Sequence, residues 1–412
     1  MMILTVVNNL SKGGTERVAQ NFSEAYRDLG HDVRVLALYF DGPRKKELEE
    51  MGIKTYVGLN GNKAELILWN PELVHIHSLG CIEDKPYLYA LINSFPRAKF
   101  VETSVFSKIS FIDKHLIAIF QLSKWCDYLY STRGGDIKKS YIIPNPVKTD
   151  TMYKAFYNEL NNFKKKYNIP ENHFIIGRIG QAFEGKWSLF LIDIFEKFFN
   201  NVDKNAYLIL CNPPDNIISY ANDKKYLRSN IIIIDQIIGD EELRCFYGLM
   251  DLMVHIAEGG ESFGMVITES LLCETPVLTL NTPWADNSQC EVVGNNIGGW
   301  CVNTIEEMYA KLVYLYKNRY LLREAGVNGR KHIIKNYEMH QVAFDALNAI
   351  NADGKKLLIP QNKNNFDFNS ISCYFKGNFL IKILLRSKLL IKTNFYHKLI
   401  NKTLKILLIG KF

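Results

Sequence analysis

The feature that most constrains this chain is a rhythm. Short apolar runs alternate with helix-length amphipathic stretches, stop near residue 145, and start again. ILTVV (3–7) reads as a buried strand, and 14–29 has helical periodicity that closes at Gly30, a residue suited to a helix C-terminus. HDVRVLALY (31–39), IKTYV (53–57), ELVHIH (72–77), KFVET (99–103) and DYLYS (127–131) follow as strands with helix-length spacers between them. Strands alternating with helices predict a parallel, doubly wound α/β sheet.

YIIPNPVKTD (141–150), with two prolines and Asn145, interrupts the pattern. It resumes with FIIGRIG (174–180), a helix over 187–200, AYLILC (206–211), IIIID (231–235), a helix over 240–249, LMVHI (252–256), a helix over 264–273 and PVLTL (276–280). Three helical patterns fill 304–350, and the Asn- and Lys-rich stretch 351–372 reads as a linker. The expected organisation is a first domain over 1–150, a second over 151–350, the linker, and a tail over 373–412. Two successive sheets joined near residue 150 would face each other across a cleft at their strand ends, where such folds bind ligands.

Four stretches fall at predicted strand ends. NNLSKGGTERVA (8–19) runs from strand through Gly13 and Gly14 into a helix. Glycines admit close backbone approach and a helix N-terminus favours an anion, although a plain tight turn has the same spelling. GRIGQAFEGKW (177–187) places Arg178 and Lys186 around a glycine-containing turn. A guanidinium fork and a point charge suit a diphosphate; on spacing alone they also fit a solvated surface. EGGESFGMVITESLLCETPVL (258–278) carries Glu261 and Glu269 eight apart. A helix beginning near Gly264 would aim free N–H groups at a ligand, with Glu269 offering a carboxylate to a ribose diol. Ser262 could instead cap that helix. The fourth, ADNSQCEVVGNNIGGW (285–300), contributes Asp286, Asn287 and Glu291 and reads as structural on its own.

With these residues assembled, the chain resembles the retaining family-4 glycosyltransferases of the GT-B fold over about residues 1–350. The resemblance rests on GGTERV (13–18), PELVHIHS (71–78), IIPNPV (142–147), GRIGQAFEGKW (177–187) and ESFGMVITE (261–269) with PVLTL behind it. It implies two Rossmann-like domains facing a central cleft, and transfer of a hexose or N-acetylhexosamine from a nucleotide diphosphate sugar with retention of configuration. It also implies roles: Arg178, Lys186 and Glu261 as the catalytic set, with Arg178 and Lys186 on the diphosphate. The backbone of Gly264, Met265 and Val266 would meet the phosphates, Phe263 would line the donor site, Glu269 would hold the ribose, and Gly14 would close from the first domain. Beyond the donor, a co-substrate, no cofactor is expected; the chain holds no D-x-D, so no metal is expected to bridge the diphosphate. The sequence departs from the family at VETSVFS (101–107), where many members carry a histidine near the sugar. His77, at the end of the fourth strand, could face the cleft but reads as a core or strand-end histidine, and His75 and His255 read as core positions.

Charge separates body from tail. The chain carries a formal +7, yet from Phe368 onward there are nine basic residues and no Asp or Glu, which leaves the other 367 residues at −2. Nucleic-acid binding is therefore disfavoured: the body is near neutral, and the tail interleaves lysines with aliphatic residues rather than with stacking aromatics. In 395–408, Lys398, Lys402 and Lys405 share one helical face, with Leu399, Ile400, Leu404, Leu407 and Leu408 spread opposite; 379–392 is a less regular version. Such a basic amphipathic helix is expected either at an anionic membrane surface or packed back on the protein. The start lacks a basic, long apolar leader, no apolar run reaches membrane-spanning length, and eight cysteines are scattered without a C-x-x-C. Together these place the protein in the cytoplasm, peripheral at the inner face of the plasma membrane. The acceptor is then expected to be a lipid-linked saccharide, as in lipopolysaccharide, O-antigen or capsule synthesis. The competing classes are a sugar phosphorylase or nucleotide-sugar epimerase of the same fold, and a non-catalytic two-domain sugar-binding protein.

Overall fold

The computed structural model describes residues 1–351 except 79 and 238, together with 368–369, 375, 378–391 and 393–409. Its contacts divide the chain into two units, each built on one parallel sheet. The expected linker lies almost wholly outside the described residues.

The first unit begins with β1 (Met2–Asn9), α1 (Gly14–Asp28), β2 (Asp32–Phe40), α2 (Arg44–Glu50), β3 (Lys54–Val57) and α3 (Leu59–Trp69). It continues with β4 (Leu73–Ser78), α4 (Lys85–Ser94), β5 (Lys99–Ser104), β6 (Leu116–Gln121), α5 (Lys124–Thr132) and β7 (Ser140–Ile142). The seven strands lie in the order β3-β2-β1-β4-β5-β6-β7, so the winding reverses between β1 and β4. One face of the sheet buries Leu4, Val6, Leu36, Val74, Ile76 and Ile119 under α3 and α4. The other receives α1, whose Phe22 and Tyr26 pack on the histidine pair of β4: Tyr26 Oη lies 3.1 Å from His75 Nδ1.

The second unit comprises α6 (Tyr157–Lys166), β8 (Ile175–Ile179), α7 (Phe190–Asn201), β9 (Tyr207–Cys211), α8 (Asp215–Asp223), β10 (Ile231–Ile234) and α9 (Asp240–Leu249). These lead to β11 (Leu252–His255), α10 (Met265–Leu272), β12 (Val277–Leu280), α11 (Gln289–Val293), β13 (Gly299–Val302), α12 (Ile305–Lys317) and α13 (Arg319–Tyr337). Its six strands run β10-β9-β8-β11-β12-β13, with the reversal between β8 and β11. Ligands of open α/β sheets bind outside the carboxyl ends of the strands at such a reversal. The doubly wound reading of both halves holds.

Three local expectations do not. DYLYS (127–131) is helical, the interior of α5. Ser123 caps that helix by accepting the Cys126 N–H at 3.0 Å, Asp127 sits in its first turn, and Trp125, Tyr128, Leu129 and Thr132 are buried at helical spacing. The strand is the preceding LIAIFQ segment, β6. The helix α14 (Met339–Asn351) does not group with the second unit but with the first, where it packs on α1. A bridge ties it there: Val147 N–H donates to Tyr337 O at 2.8 Å and Met339 N–H to Val147 O at 3.1 Å.

The third concerns the tail, which forms α15 (Phe379–Leu390) and α16 (Asn394–Ile409) and groups with the second unit. Ile400, Leu404 and Leu408 are buried, but Leu399 and Leu407, expected to share their apolar face, are exposed among the lysines. The packed stripe needs only every fourth residue, so the two flanking leucines fall outside it. Among the described residues, no helix is long and apolar enough to cross a membrane.

Candidate functional site

Two loops leave the sheet on either side of its reversal in the second unit, one after β8 and one after β11. Adjacent strands bring them together, and Gly259 N–H donates to Gly185 O at 2.9 Å. The glycines are needed for this approach. A Cβ at Gly259 would come within 3.1 Å of Gly185 O, and one at Gly260, whose φ is +68°, within 1.8 Å of Asp286 O.

The loops join two of the expected site residues. Lys186 Nζ lies 2.6 Å from Glu261 Oε2, with the carboxylate buried and the ammonium half-buried. Burial alone would raise the Glu261 pKa, but the neighbouring His255 and the Lys186 charge hold it down at about 2. His255, at the end of β11, is itself lowered to about 4 by burial and by the charge of Arg178. It is uncharged at neutral pH, so Lys186 is the cation that balances Glu261. Thr279 Oγ1 donates to His255 O at 3.0 Å and lies 3.2 Å from His255 Nδ1. On its other side, His255 Nε2 lies 3.4 Å from Glu261 Oε1. Nε2 is buried without a hydrogen-bond partner.

Arg178 is a strand residue of β8 rather than a loop residue, and is 1% exposed. Its Nη2 donates to Lys186 O at 2.8 Å, its Nη1 donates to Ile179 O, and its guanidinium lies 5.1 Å from the Trp187 ring centroid. Burial lowers its pKa to about 10, so it stays charged. Its Nε is buried without a partner. Arg178 thus props the loop that presents Lys186 while holding positive charge beneath it.

The loop after β11 turns into α10 at Gly264, the cap residue, with φ +97° and no side chain to offer; Ser262 is not the cap. A Cβ there would meet Ile267 Cδ1 at 2.9 Å besides the strained φ. Phe263 is buried, while Met265 and Val266 occupy the first turn half-exposed. Glu269 lies on the next turn, buried, and accepts a hydrogen bond from Tyr247 Oη at 2.8 Å. Tyr247, from α9, had no signal in the local motif because it arrives from a different element. His255 was read from sequence only as a core residue; its position at a strand end was the available hint.

Residues 281–291 brace this loop. Ser288 N–H donates to Glu261 O at 2.9 Å, Glu261 N–H to Gln289 Oε1 at 3.3 Å, and Trp284 Nε1 to Glu258 O at 3.0 Å. Asn287 is fully enclosed, accepting from Thr282 N at 2.7 Å.

Gly14 is the first residue of α1, in the first unit. The α1 N-terminus is faced by its own Glu16, whose Oε2 would lie 2.2 Å from a Cβ at Gly13. In the same unit, the departure at 101–107 borders a shallow depression lined by residues including Glu102, Ser104, Phe106, Lys108 and Ser110. Ser110 Oγ donates to Glu102 Oε2 at 2.6 Å, and burial raises this carboxyl to about 7.

Residues 160–332 match the family model of the glycosyl transferases group 1. No curated protein sequence matches the chain. Solved structures match it over most of its length. A glycosyltransferase from Rickettsia africae ESF-5 superposes with a TM-score of 0.70 at 20% identity, covering 86% of this chain and 99% of that one. Anabaena Alr3699/HepE in complex with UDP and glucose gives 0.68 at 16% identity, covering 85% and 99%. WaaG, a glycosyltransferase involved in lipopolysaccharide biosynthesis, gives 0.57 at 16% identity, covering 85% and 100%. The fold is GT-B, and the family match over the second unit supports a glycosyltransferase.

Proposed function

We propose that the protein transfers a hexose or N-acetylhexosamine from a nucleotide diphosphate sugar to a saccharide acceptor, with retention of configuration and without a metal. The observation that carries this reading is the convergence of Arg178, Lys186, Glu261 and the α10 N-terminus at one sheet reversal, with Glu269 one turn further on. Breaking the bond between the sugar C1 and its phosphate oxygen leaves the electron pair on the departing diphosphate. Lys186, the buried charge of Arg178 and the positive end of α10 offset that charge as it forms. The acceptor hydroxyl bonds to C1, and its proton passes to the departing phosphate oxygen on the same face.

Glu261 is a poor base at neutral pH because its pKa lies near 2, so its role is to bind. It accepts hydroxyls of the donor sugar, and Glu269, oriented by Tyr247, accepts those of the ribose. HepE was solved with UDP and glucose, which favours a UDP-sugar over a GDP-sugar here. The involvement of WaaG in lipopolysaccharide biosynthesis favours a lipid-linked acceptor in surface-polysaccharide assembly. The test is a panel of UDP- and GDP-sugars screened for thermal stabilisation, followed by transfer onto lipid-diphosphate saccharides. Stabilisation by one donor and acceptor-dependent product with the donor's anomeric configuration are expected. Turnover independent of acceptor would point to an epimerase, and stabilisation without turnover to a binding protein.

A further inference from the structure

The two tail helices bury one side and leave the other open. Ile381, Leu385 and Lys388 of α15 and Ile400, Leu404 and Leu408 of α16 are all nearly inaccessible. Lys388 Nζ donates to Asn401 Oδ1 at 2.8 Å, which joins the helices to each other. Lys405 reaches Glu258 at 3.3 Å, which sets α16 beside the loop that leads to Glu261.

The outward stripes of the two helices share one pattern. On α15 it reads Phe379, Ile383, Arg386, Leu390; on α16 it reads Phe395, Leu399, Lys402, Ile406. Each steps by four, three and four residues, the spacing of a single helical face. Each presents an aromatic, an aliphatic, a cation and an aliphatic side chain in that order. Phe379, Leu390 and Phe395 are 77%, 80% and 81% exposed, and the other apolar members are about half exposed or more. Isolated exposed apolar side chains are ordinary, but here each of the two helices carries three exposed apolar side chains on one face.

We propose that this double stripe lies on an anionic lipid surface. The argument is charge complementarity joined to geometry. From Phe368 to the C-terminus the sequence has no acidic residue, so nothing in the hairpin offsets Arg386, Lys398 and Lys402. Long cationic side chains among bulky apolar ones suit the boundary between headgroups and acyl chains, where the stems bury and the charges reach phosphate. Neither helix is long and apolar enough to cross the bilayer, so both lie in its plane. The surface differs from the one that lysine spacing alone suggested, because Ile400, Leu404 and Leu408 are already used in packing. The inference deepens the proposed lipid-linked acceptor but rests on the hairpin alone.

The test is co-sedimentation of the full-length protein with vesicles of phosphatidylcholine, with and without phosphatidylglycerol, at fixed salt. Binding to the anionic vesicles and little to the neutral ones is expected. The double variant Phe379→Ser/Phe395→Ser should lose at least tenfold in partitioning with an unchanged melting temperature, because both rings are exposed. Arg386→Gln/Lys402→Gln should lose about thirtyfold on anionic vesicles, at about 1 kcal/mol for each charge near the surface. Wild type that ignores anionic vesicles would overturn the proposal, as would either double variant binding like wild type. A concentration-dependent dimer abolished by Phe379→Ser/Phe395→Ser would also overturn it, assigning the face to a second copy. Sugar transfer onto a soluble acceptor is measured separately, so loss of membrane binding with transfer intact would sink this inference and leave the proposed reaction standing.

Discussion

Lys186 and Glu261, seventy-five positions apart in sequence, meet at 2.6 Å because β8 and β11 are neighbours across the reversal of the second sheet. The pair is asymmetric. The carboxylate is buried on a residue whose backbone is held by Ser288 and Gln289, whereas the Lys186 side chain is 27% exposed.

Removing one member should therefore cost more than removing both. Lys186→Ala leaves a buried carboxylate without its cation, a situation that typically costs about 3–5 kcal/mol. Glu261→Gln combined with Lys186→Ala should recover most of that loss. Urea denaturation of the four species around this cycle measures it, with a coupling energy above about 1 kcal/mol expected. Additive effects would mean that the two groups do not act as a pair.

The pH dependence has a definite direction. Glu261 titrates near 2 when folded against an ordinary 4.5, so between those values the unfolded chain binds the extra proton. The stability from this carboxylate is complete above about pH 4.5 and is lost as pH falls toward 2. Glu261→Gln should flatten that acid limb of a melting-temperature profile.

Glu102 behaves oppositely. Its folded value of about 7 against 4.5 means that folding takes up a proton, so stability falls as pH rises between the two and is level above. Glu102→Gln, which still accepts the Ser110 hydroxyl, should raise the melting temperature at pH 8 and leave it little changed at pH 4.5.

Tyr247→Phe removes the hydroxyl that fixes Glu269 and leaves a buried carboxylate oxygen short of a donor, a loss of about 1–3 kcal/mol. Because Glu269 is assigned to the ribose, KM for the donor should rise about tenfold or more while kcat changes little. A fall in kcat at constant KM would remove Glu269 from donor binding.

Much of this was readable in the order of residues, and the failures share a cause. The strands of both sheets stand out because parallel strands buried on both faces are runs such as ILTVV and LMVH. The loop glycines and the two glutamates were visible because their spacing is local. DYLYS misled because five alternating residues carry no record of Ser123 four positions upstream capping a helix. The assignment of α14 to the first unit depends on a bridge between Val147 and the backbone around residue 338, a contact across nearly two hundred residues. Tyr247 and His255 join the site from α9 and β11 by tertiary packing alone. The tail's amphipathicity was legible, but which of its apolar residues would be used up in packing was not.

The most direct test of the central claim is the turnover of purified, folded Lys186→Ala with the donor that stabilises the wild type. Loss of one preorganised electrostatic contact to the leaving group predicts a fall in kcat of about 10²–10³-fold, with circular dichroism unchanged at the assay temperature. Turnover within a few-fold of wild type would contradict the assignment of Lys186 to the leaving diphosphate, and with it the reading of this site.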